Sequence, residues 1–358
     1  GTEGIYGTPT YVSSTFIFLF ILFGAFLEQA GMIRLFNDFA MGTVGHTRGG
    51  PAKVSVISSG LMGTINGSGV ANVVTTGQFT IPLMKRFGYS PAFAGGVEAT
   101  SSMGGQIMPP VMGAVAFIMA ETINVPYLSI VKAAIIPAIL YFVTAFWMVH
   151  LEAGRRGLTG LPKEECPNPW TAVRERWYLL LPLAGLVALL FSGYTPLFSG
   201  TVGLGLTVIL IFGAAVISGV KGLALRGLFW VLLGFACAGF LQFGVATFFV
   251  VTLVLITLTY IRRVGGDTRQ LAVRALVDGA RHALPVAIAC ALVGVIIGTI
   301  NLTGEAAEMG GHIIAIGRES LFLALVLTMF TCLILGMGIP TIPNYIITSS
   351  LAAPVLLE

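Results

Sequence analysis

Charge is what this chain lacks. Of its 358 residues only 9% are Asp, Glu, Lys or Arg, 56% are hydrophobic, and the mean hydropathy is +0.93. Soluble domains carry about 25% charged residues, so this chain could not cover its own surface in water, and it reads as an integral membrane protein. Cysteine is scarce too. Cys166 lies in a polar stretch and Cys237, Cys290 and Cys332 in apolar ones, with no CxxC pair, which excludes a disulfide framework. His46, His150, His282 and His312 stand far apart and unaccompanied, which excludes a zinc site. No glycine-rich phosphate loop occurs where it could work, so ATP is not expected. No His/Glu, Asp/Asp or Ser/Lys pair has catalytic spacing within a span, which argues against a membrane-embedded enzyme. The net charge of +4 suits basic cytoplasmic loops and does not indicate nucleic acid. Gly1–Thr10 is polar and lacks the basic start of a signal peptide. The chain begins without Met and stops at Glu358 inside a patterned segment, as expected of part of a longer protein. What abounds is glycine, 46 residues, the mark of close helix packing or broken helices in a membrane.

A full crossing takes about 20 apolar residues. The sequence predicts spans at Tyr11–Leu27, Tyr127–Val149, Tyr178–Phe191, Thr201–Ile217 and Leu284–Ile300. Leu228–Ile261 would be about 50 Å long as one helix, so it is expected to split near Gly239–Gly244. Three other apolar segments, Pro51–Leu83, Ser90–Ile123 and Leu321–Leu357, are broken repeatedly by Gly, Asn, Ser, Thr and Pro. Lys53, Lys85 and Arg86 flank the first of these on both sides. Reading it as a hairpin that enters and leaves on one face puts every basic loop in the cytoplasm, apart from Arg318. The expected organisation is a first repeat over 1–150, with a hairpin at about 51–84 and a broken helix at about 90–123. A cytoplasmic polar linker follows at 151–177, then scaffold-type spans and an amphipathic segment over 178–283. A second, truncated repeat with its own hairpin occupies 284–358.

The repeat rests on self-similarity. At an offset of 272, Asn72 meets Asn344, Thr76 meets Thr348 and Pro82 meets Pro354. In both halves a span precedes a glycine (Gly31, Gly304), and a short amphipathic stretch (33–47, 305–318) and an interrupted hairpin follow it. Hairpins from opposite faces make an inverted repeat, and in secondary transporters such repeats place substrate and ion sites where discontinuous helices meet. Freed backbone groups are tolerated in low dielectric only where water, protein or an ion satisfies them. Half-helix N-termini favour a carboxylate, and unwound carbonyls with Ser, Thr or Asn oxygens favour a hard cation such as Na⁺.

Three runs carry this chemistry. In Asn66–Thr76, glycines around Ser68 break the helix, while Asn72 and Thr76 share one face. In Ser101–Pro110, the pair Gly104–Gly105 followed by Pro109–Pro110 cannot continue a helix, leaving bare carbonyls around Met108. In Gly336–Thr348, Gly338, Pro340 and Pro343 make the break, and Thr341, Asn344 and Thr348 mirror the first hairpin. Each of these also fits plain helix packing. Glu98 lies in an apolar run, where a carboxylate is a functional candidate unless it sits at the interface. Glu28 and Glu121 read as interfacial, and Arg34–Asp38 as an i,i+4 surface pair. Met103, Met108, Met112 and Met119 read as packing residues.

The run Gly60-Leu-Met-Gly-Thr-Ile-Asn-Gly-Ser-Gly-Val-Ala-Asn-Val-Val-Thr-Thr-Gly-Gln-Phe-Thr-Ile-Pro-Leu-Met-Lys-Arg86 resembles the large membrane subunit of tripartite ATP-independent periplasmic (TRAP) transporters. So do Gly104–Ala114, Met119-Ala-Glu121 and Leu335–Pro340. The chain is similar in particular to the fused-permease branch that works with TAXI-type binding proteins. The resemblance implies an all-α, inverted-repeat, elevator-type permease of the inner membrane of a bacterium or archaeon. It implies import of a small solute, a carboxylate by class, delivered by a periplasmic TAXI-type binding protein and driven by a Na⁺ gradient. H⁺ coupling through Glu98 stays open. It also implies a small membrane subunit, or a fused N-terminal region, as partner. Carried over by position, Ser68 and Asn72 with Gly104, Gly105, Met108 and Pro109 would form one cation site. Gly336, Thr341 and Asn344 would contribute to the other, with substrate between the two tips. A citrate- or anion-type transporter that needs no binding protein is the alternative.

Overall fold

The computed structural model describes residues 4–218, 222–239, 244, 246–261, 266–303, 321–337, 341–342, 344–346 and 348–349. All regular structure among them is helical. Among the described residues, four helices are long and apolar enough to cross a membrane: α1 (Thr8–Gln29, with a π turn at Ser13–Ile17), α7 (Tyr127–Arg155), α10 (Pro196–Ile217) and Gly266–Ile296 of α13 (Gly266–Thr303). Shorter elements are α2 (Met32–Val44), α3 (Gly50–Asn66), α4 (Gly69–Arg86), α5 (Pro91–Gly104), α6 (Ala114–Thr122), α8 (Pro169–Arg176), α9 (Leu180–Phe191), α11 (Leu223–Ala238), α12 (Ala246–Ile261) and α14 (Leu321–Gly336). The split near Gly239–Gly244 occurs where expected, between α11 and α12. The span expected over Tyr178–Phe191 is shorter. A 3₁₀ turn takes Trp177–Leu179, leaving a helix of 12 residues, about 18 Å, which is less than a full crossing.

The chain forms two compact units. One contains residues 1–17, 114–125 and 282–358; in it Phe16 stacks on Phe117 of α6. The larger contains residues 18–113 and 126–281. Its apolar core in the second half is built by Val202, Ile209, Phe212 and Val216 of α10 against Leu233 of α11 and Phe248 and Leu255 of α12. In the first half, Ala52 and Val56 of α3, Met84 of α4, Ala94 and Val97 of α5 and Val149 of α7 close a second core.

Local sequence sets up the hairpin. Pro51 in the first turn starts α3, where its missing N–H costs nothing. Gly67 ends α3 at φ +56°, a left-handed conformation that costs a residue with a Cβ about 1–2 kcal/mol. Ser68 caps α4, its hydroxyl accepting from the Ala71 N–H at 3.3 Å. With only two residues between them, the arms fold back on each other, and both pack on α5. The break expected at Ser68 is therefore present.

The linker expected at 151–177 begins inside α7, which runs to Arg155, and residues 156–177 form a folded strap. Leu161 N–H donates to Gly45 O at 2.8 Å, and α8 lies on α2. Asp38 does not pair with Arg34 as expected. Its carboxylate accepts from Arg176 of α8 at 2.9 Å, because the strap brings a guanidinium from outside the helix, whereas Arg34 is exposed. The two partners are about a quarter exposed. Arg176→Gln should lower stability by about 0.5–1 kcal/mol, with the difference shrinking in high salt, as read by denaturant unfolding at two ionic strengths. Between α4 and α5, burial and the charge of Glu152 push the Tyr89 phenol up to about 12.

Candidate functional site

Three i,i+4 pairs of polar residues converge inside the larger unit: Ser55 and Ser59 on α3, Thr76 and Thr80 on α4, Glu98 and Ser102 on α5. All six are fully buried. The Glu98 carboxylate is their centre. Ser55 donates to Oε2 at 2.7 Å, and Ser102 and Ser59 donate to Oε1 at 2.9 and 3.2 Å. Thr76 and Thr80 also donate to it, one to each oxygen. Five hydroxyls on three helices thus serve one carboxylate, which solves the problem of a buried acid by hydrogen bonding. No salt bridge to Glu98 occurs among the described residues.

Asn72 stands one turn above Thr76. Its amide donates to Ser59 O at 2.9 Å. Thr76 Oγ1 lies 2.7 Å from Asn72 O and 3.3 Å from Asn72 Oδ1. One hydroxyl hydrogen therefore has four acceptors within reach, the others being Glu98 and the Ser59 hydroxyl at 3.3 Å.

The broken helix passes directly beside this. After α5 a single 3₁₀ turn, Gly105–Ile107, ends the helix, with Met108 N–H donating to Gly105 O at 3.1 Å. Residues 108–113 are then open chain, with a cis bond between Pro109 and Pro110. Tyr127 holds that chain by donating to Pro110 O and Val111 O at 3.0 and 2.5 Å. Gly63 and Gly105 meet backbone to backbone: a Cβ on Gly63 would fall 2.3 Å from the Gly105 Cα. Gly104 is buried against Tyr141, and Met108 and Pro109 are half-buried. The break expected at Gly104–Pro110 is thus found, beside Asn72. Ser68 at the tip is half-buried, and Gly67 faces the Met112 carbonyl.

Asn344 and Thr348, in the segment expected to form a second hairpin, repeat one element of this geometry. Thr348 Oγ1 donates to Asn344 O at 2.7 Å and lies 3.2 Å from Asn344 Oδ1, matching Thr76 and Asn72 within 0.1 Å. A Cβ on Gly336 would stand 3.3 Å from Asn344 Nδ2, as one on Gly105 would from Asn72 Nδ2. Thr341 is exposed. Gly338, Pro340, Pro343, Pro354, Gly304, Arg318 and the stretch 305–318 lie outside the described residues.

A model of the DctM component of tripartite ATP-independent periplasmic transporters matches residues 5–358. The chain belongs to that family. It is a multi-pass TRAP large-permease chain. It is 29% identical over 194 residues to a C4-dicarboxylate TRAP transporter large permease protein of Pseudomonas aeruginosa, covering 54% of this chain and 45% of the relative. It is 29% identical over 230 residues to one of Rhodobacter capsulatus, covering 61% and 51%. Against a sialic acid TRAP transporter large permease of Vibrio cholerae it is 29% identical over 178 residues, covering 49% and 41%. The chain spans about half the length of these relatives.

Sequence reasoning missed Ser55, Ser59, Thr80 and Ser102, and left Glu98 between core and interface. The signal was present: a polar pair four residues apart on each of three neighbouring apolar helices. Glu28, expected at the interface, accepts from Asn66 Nδ2 at 2.9 Å, beside the hairpin tip, and Glu121 is exposed. Asn72 Oδ1, Thr76 Oγ1 and the Ser59 carbonyl and hydroxyl supply oxygens, the donors a hard cation takes.

Proposed function

We propose that this chain is the membrane component of an importer that moves a small organic solute, a carboxylate by class, with a Na⁺ gradient. A periplasmic binding protein of the TAXI type delivers the solute, and a small membrane subunit or its fused equivalent completes the permease. The two hairpins are re-entrant and belong to the moving part of an elevator. Ser68, Asn72, Gly105 and Met108 form a cation site, with Thr76, Gly104 and Pro109 shaping it; Gly336, Gly338, Thr341, Asn344 and Thr348 contribute to a second.

What carries this reading is the duplicated Asn–Thr pair, alike in sequence spacing and in hydrogen bonding. Helix packing can use Asn and Thr singly, whereas the same amide and hydroxyl at the same spacing in both halves favours a shared site. Thr76 supplies a way to admit the ion. While its hydrogen points at Asn72, the oxygens of Asn72 are engaged. Turned to Glu98, that hydrogen releases Asn72 Oδ1 to face a cation, and the carboxylate gains a donor at the same moment.

The test is uptake into proteoliposomes containing the complete permease and its cognate binding protein, with and without a Na⁺ gradient. Asn72→Ala should abolish Na⁺-dependent uptake, and unchanged Na⁺ dependence would remove Asn72 from the site. Uptake that follows a H⁺ gradient alone would overturn the Na⁺ assignment.

A further inference from the structure

A groove of about 900 Å³ runs between α5 and α7 on the larger unit, a volume in the range of ligand sites. Its walls are apolar along most of their length, with Val97, Pro137, Leu140, Tyr141 and Met148 among them, and it ends at Glu152 and Arg155. The helix that forms one wall is itself unusual. Only 11% of the most apolar 18-residue window of α7 is buried, and Ile136, Ile139, Val143 and Trp147 point outward. Such a face suits hydrocarbon, and α7 is among the helices long and apolar enough to cross a membrane.

Its charged end carries an imbalance. Glu152 is bonded to Arg156 at 2.5 Å, while Arg155 stands 3.8 Å from the same carboxylate with its side chain 79% exposed. The Arg48 guanidinium lies against the backbone of Gly154, so close that a Cβ there would fall 1.3 Å from its Nη2. Two guanidiniums, Arg155 and Arg156, therefore flank one acid at the last turn of an apolar helix. Arg156 is fixed further by lying over the Phe93 ring, 5.5 Å from its centroid, at the same end of the groove.

We propose that this groove binds an anionic glycerophospholipid, one acyl chain lying between α5 and α7 and the phosphate against Arg155, with Arg156 behind it. The apolar walls accept any chain. The surplus positive charge selects the headgroup, since each basic residue near an anionic lipid surface contributes an attraction of useful size. The bound lipid would brace α5, the helix that carries Glu98, from its outer side.

Native mass spectrometry of the complete permease in mild detergent, with dioleoyl-phosphatidylglycerol or dioleoyl-phosphatidylcholine added, tests this. The wild type should retain the glycerol lipid about fivefold or more over the choline lipid, and Arg155→Gln should remove most of that preference. Arg155 is exposed enough for this change to leave the fold intact. Gly96 lines the groove, and a Cβ there meets nothing within 4 Å. Gly96→Leu should therefore lower retention of both lipids without lowering the melting temperature. Equal retention of the two lipids by the wild type would overturn the proposal. So would retention unaffected by Gly96→Leu, which means annular lipid only, or efficient cross-linking of Met148→Cys to another protein segment in the membrane, which means that a helix fills the groove.

Discussion

Replacing Glu98 by alanine should cost the permease roughly 3–5 kcal/mol and deprive hairpin 1 of its fixed relation to α5. The effect follows from the hydroxyls left behind rather than from the lost acid. Thr76 and Thr80 have a second acceptor four residues back, Asn72 O at 2.7 Å and Thr76 O at 3.1 Å. Ser55, Ser59 and Ser102 give the carboxylate their best hydrogen bonds, so the penalty of buried unsatisfied donors falls mainly on them. Glu98→Gln should recover a large part of the loss. The amide oxygen can still take donors on one side, while the amide nitrogen meets Thr80 or Ser55 with its hydroxyl turned to accept. Thermal unfolding in detergent reads both variants. An alanine variant as stable as the wild type would show that water or backbone carbonyls replace the acid freely.

The second large effect concerns the hairpin tip. In Gly67→Ala the new Cβ would begin 1.7 Å from the Met112 carbonyl oxygen, and the positive φ adds about 1–2 kcal/mol. Neither neighbour is a flexible side-chain end, so the backbone of residues 108–113 must withdraw. We expect a clear fall in melting temperature and faster hydrogen exchange at Val111–Gly113, whose Gly113 N–H now donates to Gln106 O at 2.7 Å. Exchange unchanged across that segment would mean that the tip can shift as a unit.

Much of this was legible in the sequence because broken helices write themselves in Gly and Pro. The hairpin break at Ser68, the unwound chain after Gly105 and the Asn72–Asn344 correspondence all come from residues whose backbone or spacing allows few alternatives. The Glu98 cluster was not legible in the same way. Serine and threonine are tolerated in apolar helices for several reasons, and their i,i+4 spacing gains meaning only when three helices bring those faces together. Asp38 shows the complementary failure: i,i+4 spacing to Arg34 offered a partner, and tertiary structure supplied a better one from residue 176. The short α9 illustrates a third. Hydropathy counts residues, but a 3₁₀ turn at Trp177–Leu179 uses three of them outside the helix.

The hub at Glu98 also acts as an index. Turning any one of its three helices by a single residue rotates the side chains by about 100° and swings a pair of polar groups away from the cluster, leaving part of the carboxylate's shell empty. One added or deleted residue in α3, α4 or α5 would therefore be felt as an all-or-none mismatch, and these three segments should tolerate substitution far better than any change of length.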